Sequence, residues 1–187
     1  MAVALIGRAV IAQQPPCDFM TGGGYIFPPA QATPFEPTGA KGTFGAAGGC
    51  RDGSNFGHLE YQDKGTGLKV HSASITAYMV DNVTIFPDPD ARLICGEATT
   101  NQCGDVRFGV RTKDVGEPGN NDEFDIQLTR QSDNTVCYST FVVGGGPHTL
   151  GGNTGGGGNV ALHKPNPPVG GSCPALAPSS CIPPGCE

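Results

Sequence analysis

The acidic segment between Asp114 and Asp125 carries the residue types best suited to binding chemistry. Oxygen-bearing side chains concentrate there around a Gly-Glu-Pro-Gly turn: Asp114, Glu117, Asn120, Asn121, Asp122 and Asp125. Because Ca²⁺ takes roughly six to eight oxygen ligands, calcium is the best small-ligand candidate, with Asp114, Glu117, Asp122 and Asp125 as its predicted ligands. The spacing is not that of an EF-hand, and an ordinary solvated acidic turn is the favoured interpretation of the segment. We predict no other cofactor.

Residue types that perform catalysis are present, but not in catalytic patterns. No Gly-x-Ser-x-Gly nucleophile elbow accompanies the four histidines, His58, His71, His148 and His163. Glu60 and Asp63 form a carboxylate pair, yet two acids near a turn are typical of solvated surface. The glycine runs Gly22–Gly24 and Gly155–Gly158 precede no helix that could bind phosphate, so we interpret them as loops and points of close backbone approach. We predict that the chain is not an enzyme.

Eight cysteines indicate an oxidising compartment. They are scattered through a turn-rich sequence: Cys17, Cys50, Cys95, Cys103, Cys137, Cys173, Cys181 and Cys186. An even number in such a setting is typical of the disulfide framework of a secreted protein. Zinc is the alternative, but Cys181 and Cys186 form the only pair at knuckle-like spacing, and a second knuckle is lacking. We predict disulfides and an extracellular or cell-surface location, with the pairing left open.

Charge and hydropathy exclude several partners. The net charge is −6 and no basic stripe is present, which argues against a nucleic-acid partner. The apolar run at the amino terminus is too short to span a membrane. Asn82-Val83-Thr84 is the one glycosylation sequon, so Asn82 is a candidate glycan site if the source organism has the machinery.

The amino terminus has the pattern of a strand. With a period of two, one face of residues 2–12 is wholly apolar: Val3, Leu5, Gly7, Ala9 and Ile11. Residues 1–16 are thus predicted to form an arm that ends in a stiff Gln-Gln-Pro-Pro spacer. The arm is either the first strand of its own sheet or a strand donated to a neighbouring copy. An atypical signal sequence is a third interpretation, although Arg8 interrupts the apolar run.

Residues 17–164 read as a series of short strands. Period-two or apolar stretches recur between turn signals, at 68–71, 74–80, 82–86, 91–97, 106–110, 124–129, 136–143 and 159–163. No stretch has sustained helical periodicity. We predict an all-β fold, an immunoglobulin-like or jelly-roll-type β-sandwich. Residues 165–187 are predicted to form a Pro/Cys-rich, extended tail tethered by disulfides.

Seven segments spread over residues 20–164 form a recognisable ordered set: TGGGYI (21–26), KGTFG (41–45), GHLEYQD (57–63), LKVHSASIT (68–76), DVGEPG (114–119), DEFDI (122–126) and GNVALHK (158–164). In this order they resemble the post-COAP domain of secreted bacterial proteins. The resemblance implies a compact extracellular β-domain, often appended to larger proteins, without an activity to carry over. The added cysteines, the glycine-rich insert at 151–158, the arm and the tail depart from the pattern.

These features predict a structural subunit of an extracellular assembly, a filament or pilus-like homopolymer joined by donor-strand complementation and stabilised by disulfides. The alternative is a monomeric secreted binding module for carbohydrate or another cell-surface ligand, with or without calcium. The absence of Trp weakens the carbohydrate interpretation, because sugar-binding surfaces commonly use aromatic faces. The two hypotheses differ in whether the sheet is complete without the arm.

Overall fold

The computed structural model describes residues 18–28, 39–51, 54–141 and 145–163. The predicted arm, with Val3, Leu5, Gly7, Ala9 and Ile11, lies outside the described residues. So do the predicted tail and the cysteines Cys17, Cys173, Cys181 and Cys186.

Nine strands account for nearly all of the regular structure in the described residues. They are β1 (Phe19–Ile26), β2 (Gly42–Arg51), β3 (Ser54–Asp63), β4 (Lys69–Asp81), β5 (Asp88–Thr100), β6 (Gly104–Lys113), β7 (Glu123–Arg130), β8 (Val136–Ser139) and β9 (Gly158–His163). A single 3-10 turn at Gly152–Thr154 precedes β9. The prediction of an all-β fold is confirmed.

The nine strands form one antiparallel sheet in the order β8-β7-β6-β5-β4-β3-β2-β1-β9. Eight of them follow the chain as a meander, and β9 returns to pair with β1. Immunoglobulin-like and jelly-roll sandwiches instead use Greek-key connections, so the described strands have a simpler connectivity than those two types. The strands β8 and β9 lie at the two ends of the sheet.

The sheet folds over so that its two halves enclose one core, which gives the predicted sandwich-like arrangement. Phe44 on β2 stacks on Phe124 of β7 with ring centroids 3.7 Å apart, although four strands separate β2 from β7 in the sheet. Tyr61 on β3 likewise meets Tyr138 on β8, and their hydroxyl oxygens are 2.6 Å apart. Alternating apolar residues of both halves complete this core, including Met20, Leu59, Val70, Ile94, Val106, Phe108, Val110, Ile126, Leu128 and Val160.

The triple glycine Gly22–Gly24 is not the predicted loop but part of strand β1. A Cβ at Gly22 would lie 2.6 Å from the carbonyl oxygen of Asn159, and one at Gly24 would lie 2.3 Å from that of Gly157. Glycine is needed at these two positions because the backbones of β9 and of the loop before it lie too close to β1 to leave room for a side chain. The predicted close backbone approach is therefore correct, and the loop is wrong.

Two predicted strand boundaries are also corrected. Residues 82–86 form a turn, in which the Asp81 carboxylate accepts the backbone N–H groups of Val83 and Thr84. Such local acceptance by an aspartate replaces the ladder hydrogen bonds of a strand. The predicted stretches 68–71 and 74–80 merge into β4, which absorbs the irregular spacing as bulges after Ser72 and Ile75.

Candidate functional site

The acidic segment caps the end strand β9. The buried Asp122 accepts the backbone N–H of Val160 with Oδ2 at 2.7 Å and that of Val115 with Oδ1 at 2.9 Å. Asp114 accepts the N–H of Leu162 with Oδ2 at 2.8 Å. These two carboxylates accept backbone N–H groups of β9 that do not bond to β1. They thereby cover a sheet edge that could otherwise pair with another strand.

The other two predicted calcium ligands serve different partners. Asp125 on β7 is fully buried, and its Oδ1 contacts Nδ1 of His148 at 2.6 Å and accepts the Thr140 hydroxyl at 3.1 Å. Burial raises the pKa of Asp125, and the bonded His148 opposes that rise. Glu117 accepts the side-chain N–H of Asn159 at 3.1 Å. In the described ranges, no three His, Cys, Asp or Glu side chains gather as a metal site, and calcium stays a prediction.

Arg111 on β6 belongs to a buried ion network that the sequence did not predict. Its guanidinium donates to Asp81 Oδ2 at 2.9 Å and to Glu123 Oε2 at 2.6 Å. It also donates to the carbonyl of Phe86 at 3.1 Å, which holds the turn after β4 against the sheet. Alternation along β6 places Arg111 on the face opposite the core, but this turn buries it. The network is structural.

A broad solvent-facing surface lies on the half of the sheet away from Arg111. It extends across β9, β1, β2, β3 and the start of β4. We call it the outer platform, and its side chains alternate with core residues along each strand. Its members are Phe19, Thr21, Gly23, Tyr25, Thr43, Gly45, Ala47, Gly49, Phe56, His58, Glu60, Gln62, Lys69, His71, Asn159, Ala161 and His163.

Small residues make a trough along the middle of the outer platform. Gly23 lies opposite Gly45, and Gly45 lies opposite Glu60. A Cβ at Gly45 would have no heavy atom within 4 Å, so the space above it is open. The trough widens into a groove of about 490 Å³ lined by Thr43, Gly45, Glu60, Gln62, Lys69, His71, Thr99 and Asn101, with their neighbours. That volume is in the range of ligand sites. Most of the lining residues are polar, although apolar atoms make up the larger part of the exposed lining.

Aromatic rings stand at both ends of the trough. At one end Phe19 stacks on His163, with centroids 4.4 Å apart, and approaches Phe56 at 6.1 Å. At the other end Tyr25 and Phe27 meet edge to face at 5.5 Å. Phe56 and Phe27 are 39% and 44% exposed. Exposed aromatic candidates for ligand contact therefore exist despite the lack of Trp.

The charge at the Tyr25 end of the outer platform, where Lys41 and Lys64 border it, differs in sign from that of the whole chain. Lys41, Lys64 and Lys69 lie at its Tyr25 end, where the Lys41 ammonium sits 3.8 Å from the Tyr25 ring centroid. Three of the four histidines, His58, His71 and His163, also belong to it. Two carboxylates contact platform residues: Glu60 contacts Nδ1 of His71, and Glu117 contacts Asn159 at the β9 edge. The chain as a whole carries −6.

One disulfide links strands in the half of the sheet that carries the short end strand β8. Cys103, in the hairpin turn between β5 and β6, is bonded to Cys137 on β8. Cys50 and Cys95 are disulfide-bonded as well. The prediction of disulfides is confirmed for these four cysteines. The candidate glycan site Asn82 is exposed in the turn after β4.

The outer platform was not predicted, although a signal for it was present. Phe56, His58, Glu60 and Gln62 alternate with Leu59 and Tyr61, which marks an outward face of β3. The alternation in β3 shows that one face of this strand is exposed to solvent. It does not show which other strands extend that exposed face. The platform exists because Gly-rich β1 and β2 lie between β9 and β3.

Two further observations bear on identity. In the part of the chain that the structure describes, no helix has the length and apolar character needed to cross a membrane. The chain matches no family model, no curated protein and no solved structure. The resemblance to the post-COAP domain therefore stays a prediction.

Proposed function

We propose that this protein is a secreted, disulfide-stabilised β-domain that recognises an extended ligand through its outer platform. The observation that carries the proposal is the open trough over Gly23 and Gly45, flanked by a polar groove and bounded by exposed rings. An exposed face that combines partly apolar rings with convergent polar side chains is typical of an interaction site.

The extracellular location is supported by the cysteines. The Cys103–Cys137 disulfide joins the β5–β6 turn to β8, and Cys50 and Cys95 are also in disulfides. Disulfides persist in secreted and cell-surface proteins, whereas the cytosol keeps thiols reduced. The resemblance to a domain of secreted bacterial proteins points the same way.

A binding role fits the described residues better than a catalytic one. The Asp125–His148 pair is arranged like the acid–base part of a hydrolase triad. However, the Thr140 hydroxyl contacts Asp125, and within the described ranges no Ser, Thr or Cys side chain is hydrogen-bonded to the His148 ring. The pair packs against the sheet as a structural element, and we retain the proposal that the protein is not an enzyme.

Retention on washed, insoluble cell envelopes of the source organism tests the proposed function. Gly45→Arg fills the trough from a position with open space above it, so we expect a folded protein that is no longer retained. Val136→Arg adds the same side chain at an exposed position of β8 and should be retained like the wild type. A folded Gly45→Arg variant with unchanged retention would show that the outer platform is not the binding surface.

A filament subunit joined by strand donation is the second candidate function. The observation that favours it is that the described sheet is a ribbon with two end strands, β8 and β9. Because Asp114 and Asp122 cap β9, a donated strand from the arm of a neighbour would extend the sheet from the β8 end. A glycan on Asn82 is compatible with either function, and so is the ordinary acidic turn that the backbone contacts of Asp114 and Asp122 favour over a calcium site.

Deletion of residues 1–12 tests strand donation. Negative-stain imaging should show fibres of the full-length protein and none of the truncated one. A peptide of residues 2–12 added in trans should stabilise the truncated protein without restoring fibres, because a free peptide completes a sheet but links no second domain. Full-length protein that remains monomeric would exclude this second candidate.

A further inference from the structure

Building on the proposed function, we infer that the ligand of the outer platform is an acidic polysaccharide. Its sugar rings would lie along the trough, and its carboxylate or sulfate groups would meet the lysines at the Tyr25 end. The inference rests on the charge of this face, the partners of its lysines and the length of the trough.

The three platform lysines form one cluster. The backbone N–H of Lys64 donates to the carbonyl of Lys41 at 3.0 Å, which places the two residues side by side. Lys69 lies opposite Gln62 in the β3–β4 pairing, and the Lys64 ammonium contacts the Gln62 side-chain oxygen. An acidic group at this corner would therefore meet three cations within reach of one another.

Those lysines lack carboxylate partners among the described residues, in contrast to other cations of the fold. Lys113 pairs with Asp88 at 2.5 Å, and Arg92 pairs with Asp18 at 2.6 Å. Lys41 instead lies over the Tyr25 ring, and Lys64 contacts a neutral amide. Arg107 and Arg130 also contact neutral side chains, those of Asn134 and Thr135, but they lie on the other half of the sheet. The three lysines are the clustered cations beside the trough, and on a chain with a net charge of −6 they favour interaction with an anion at this corner.

The dimensions favour a polymer over a single sugar. Phe19 and Tyr25 are six residues apart on β1, which corresponds to about 20 Å of strand. Between them the trough has a floor of Gly23, Gly45 and Ala47, flat enough for a chain to lie on. Glu60 and Gln62 line the adjoining groove with polar groups suited to hydroxyl groups.

Other polymers fit this face less well. Single-stranded nucleic acid binds by stacking bases on free aromatic faces, but His163 already stacks on Phe19 and Lys41 lies over Tyr25. An extended peptide adds to a sheet edge through its backbone, whereas the trough lies on the face of β1 and β2, whose backbones are paired on both sides. A sugar chain needs no free backbone groups, because it can lie on the small-residue floor and bind through its hydroxyl groups.

Binding to gels of polygalacturonate, alginate and hyaluronate, with neutral dextran as the reference, tests the inference. We expect retention on at least one acidic gel but not on dextran, weakened as salt is raised. The double variant Lys41→Gln/Lys69→Gln should lose about tenfold in affinity. Arg107→Gln/Arg130→Gln removes the same charge from the other half of the sheet and should change affinity less than about twofold. Equal losses in the two variants would overturn the inference.

Competition for the cell envelopes separates failure of the inference from failure of the proposed function. Soluble polygalacturonate, alginate or hyaluronate should displace the wild type, whereas dextran and single-stranded DNA should not. If Gly45→Arg abolishes retention but none of the three acidic polysaccharides displaces the wild type, the inference is overturned and the platform remains a binding site. Equal displacement by DNA would show recognition of polyanions in general and overturn the sugar assignment. Retention insensitive to Gly45→Arg would overturn both.

Discussion

The carboxylate of Asp122 accepts the backbone N–H of Val160 on the end strand β9 at 2.7 Å. Its second oxygen accepts the N–H of Val115 at 2.9 Å, and the side chain is fully buried. Asp122, one of the predicted calcium ligands, therefore caps a sheet edge.

Replacing Asp122 with Ala should destabilise the protein by roughly 3 kcal/mol, because each buried donor left without an acceptor costs about 1–3 kcal/mol. Urea unfolding measures the loss, and hydrogen exchange should show early exposure of the Val160 amide. Glu117→Ala, at an exposed residue that bonds only the Asn159 side chain in the described contacts, is the control and should stay within about 0.5 kcal/mol. Equal stability of the two variants would contradict the cap.

Calcium should leave the melting temperature of the wild type unchanged, because both oxygens of Asp122 and of Asp114 already accept backbone donors. Thermal unfolding in EDTA and in millimolar Ca²⁺ compares the two conditions. A ligand that binds only the native state raises its stability by mass action. A higher melting temperature in Ca²⁺ would show that the segment rearranges into a cation site.

Tyr138→Phe should cost more stability than Tyr61→Phe. Tyr138 donates to Asp63 Oδ2 at 2.9 Å, so Tyr61 donates to the Tyr138 oxygen. Removing the Tyr138 hydroxyl leaves the Tyr61 hydroxyl without an acceptor and Asp63 Oδ2 without this donor, so the free energy of unfolding should fall by about 2–4 kcal/mol. Removing the Tyr61 hydroxyl, which lies at the end of the chain of donors, should cost about 1 kcal/mol. Chemical denaturation of the two variants measures the difference, and the reverse order would refute the chain of donors.

Alkaline pH should unfold the protein cooperatively. Burial is the main reason that the pKa values of Tyr61, Tyr78 and Tyr138 are raised. A folded-state pKa above the unfolded value of about 10 adds stability that is fully present below pH 10 and is lost as the pH rises above it. Phenolate absorbance of these residues should rise together with loss of β-sheet circular dichroism. Ionisation well before unfolding would contradict their burial.

Valine should be tolerated at Gly45 but not at Gly48, although both glycines lie in β2. A Cβ at Gly45 meets open space, whereas one at Gly48 would lie 2.6 Å from the Ile94 side chain in the core. Overpacking of this kind costs about 1–3 kcal/mol, so Gly48→Val should lower the unfolding midpoint while Gly45→Val leaves it unchanged or raises it. Equal effects would mean that β2 does not present these opposite faces.

Much of the fold was predictable because period-two patterning is local. Val106, Phe108 and Val110 alternate with polar residues, and β6 has its core face where that pattern predicts. The glycine-rich strands β1 and β2 were less visible, because glycine has weak strand preference. Their place in the sheet depends on the close approach of β9 to Gly22 and Gly24, which no local pattern encodes.

By itself the sequence determined that the chain is all-β, that its cysteines favour disulfides, and that an acidic cluster and an apolar amino-terminal face need partners. Tertiary structure alone decided that Asp122 caps β9, that Arg111 is buried under a turn, and that three lysines share one face with a row of small residues. The physical reason is that side-chain alternation specifies the face on which a residue lies. The strand or turn that meets it there is set by contacts between segments distant in sequence, from 25 residues for Arg111 and Phe86 to more than a hundred for β1 and β9.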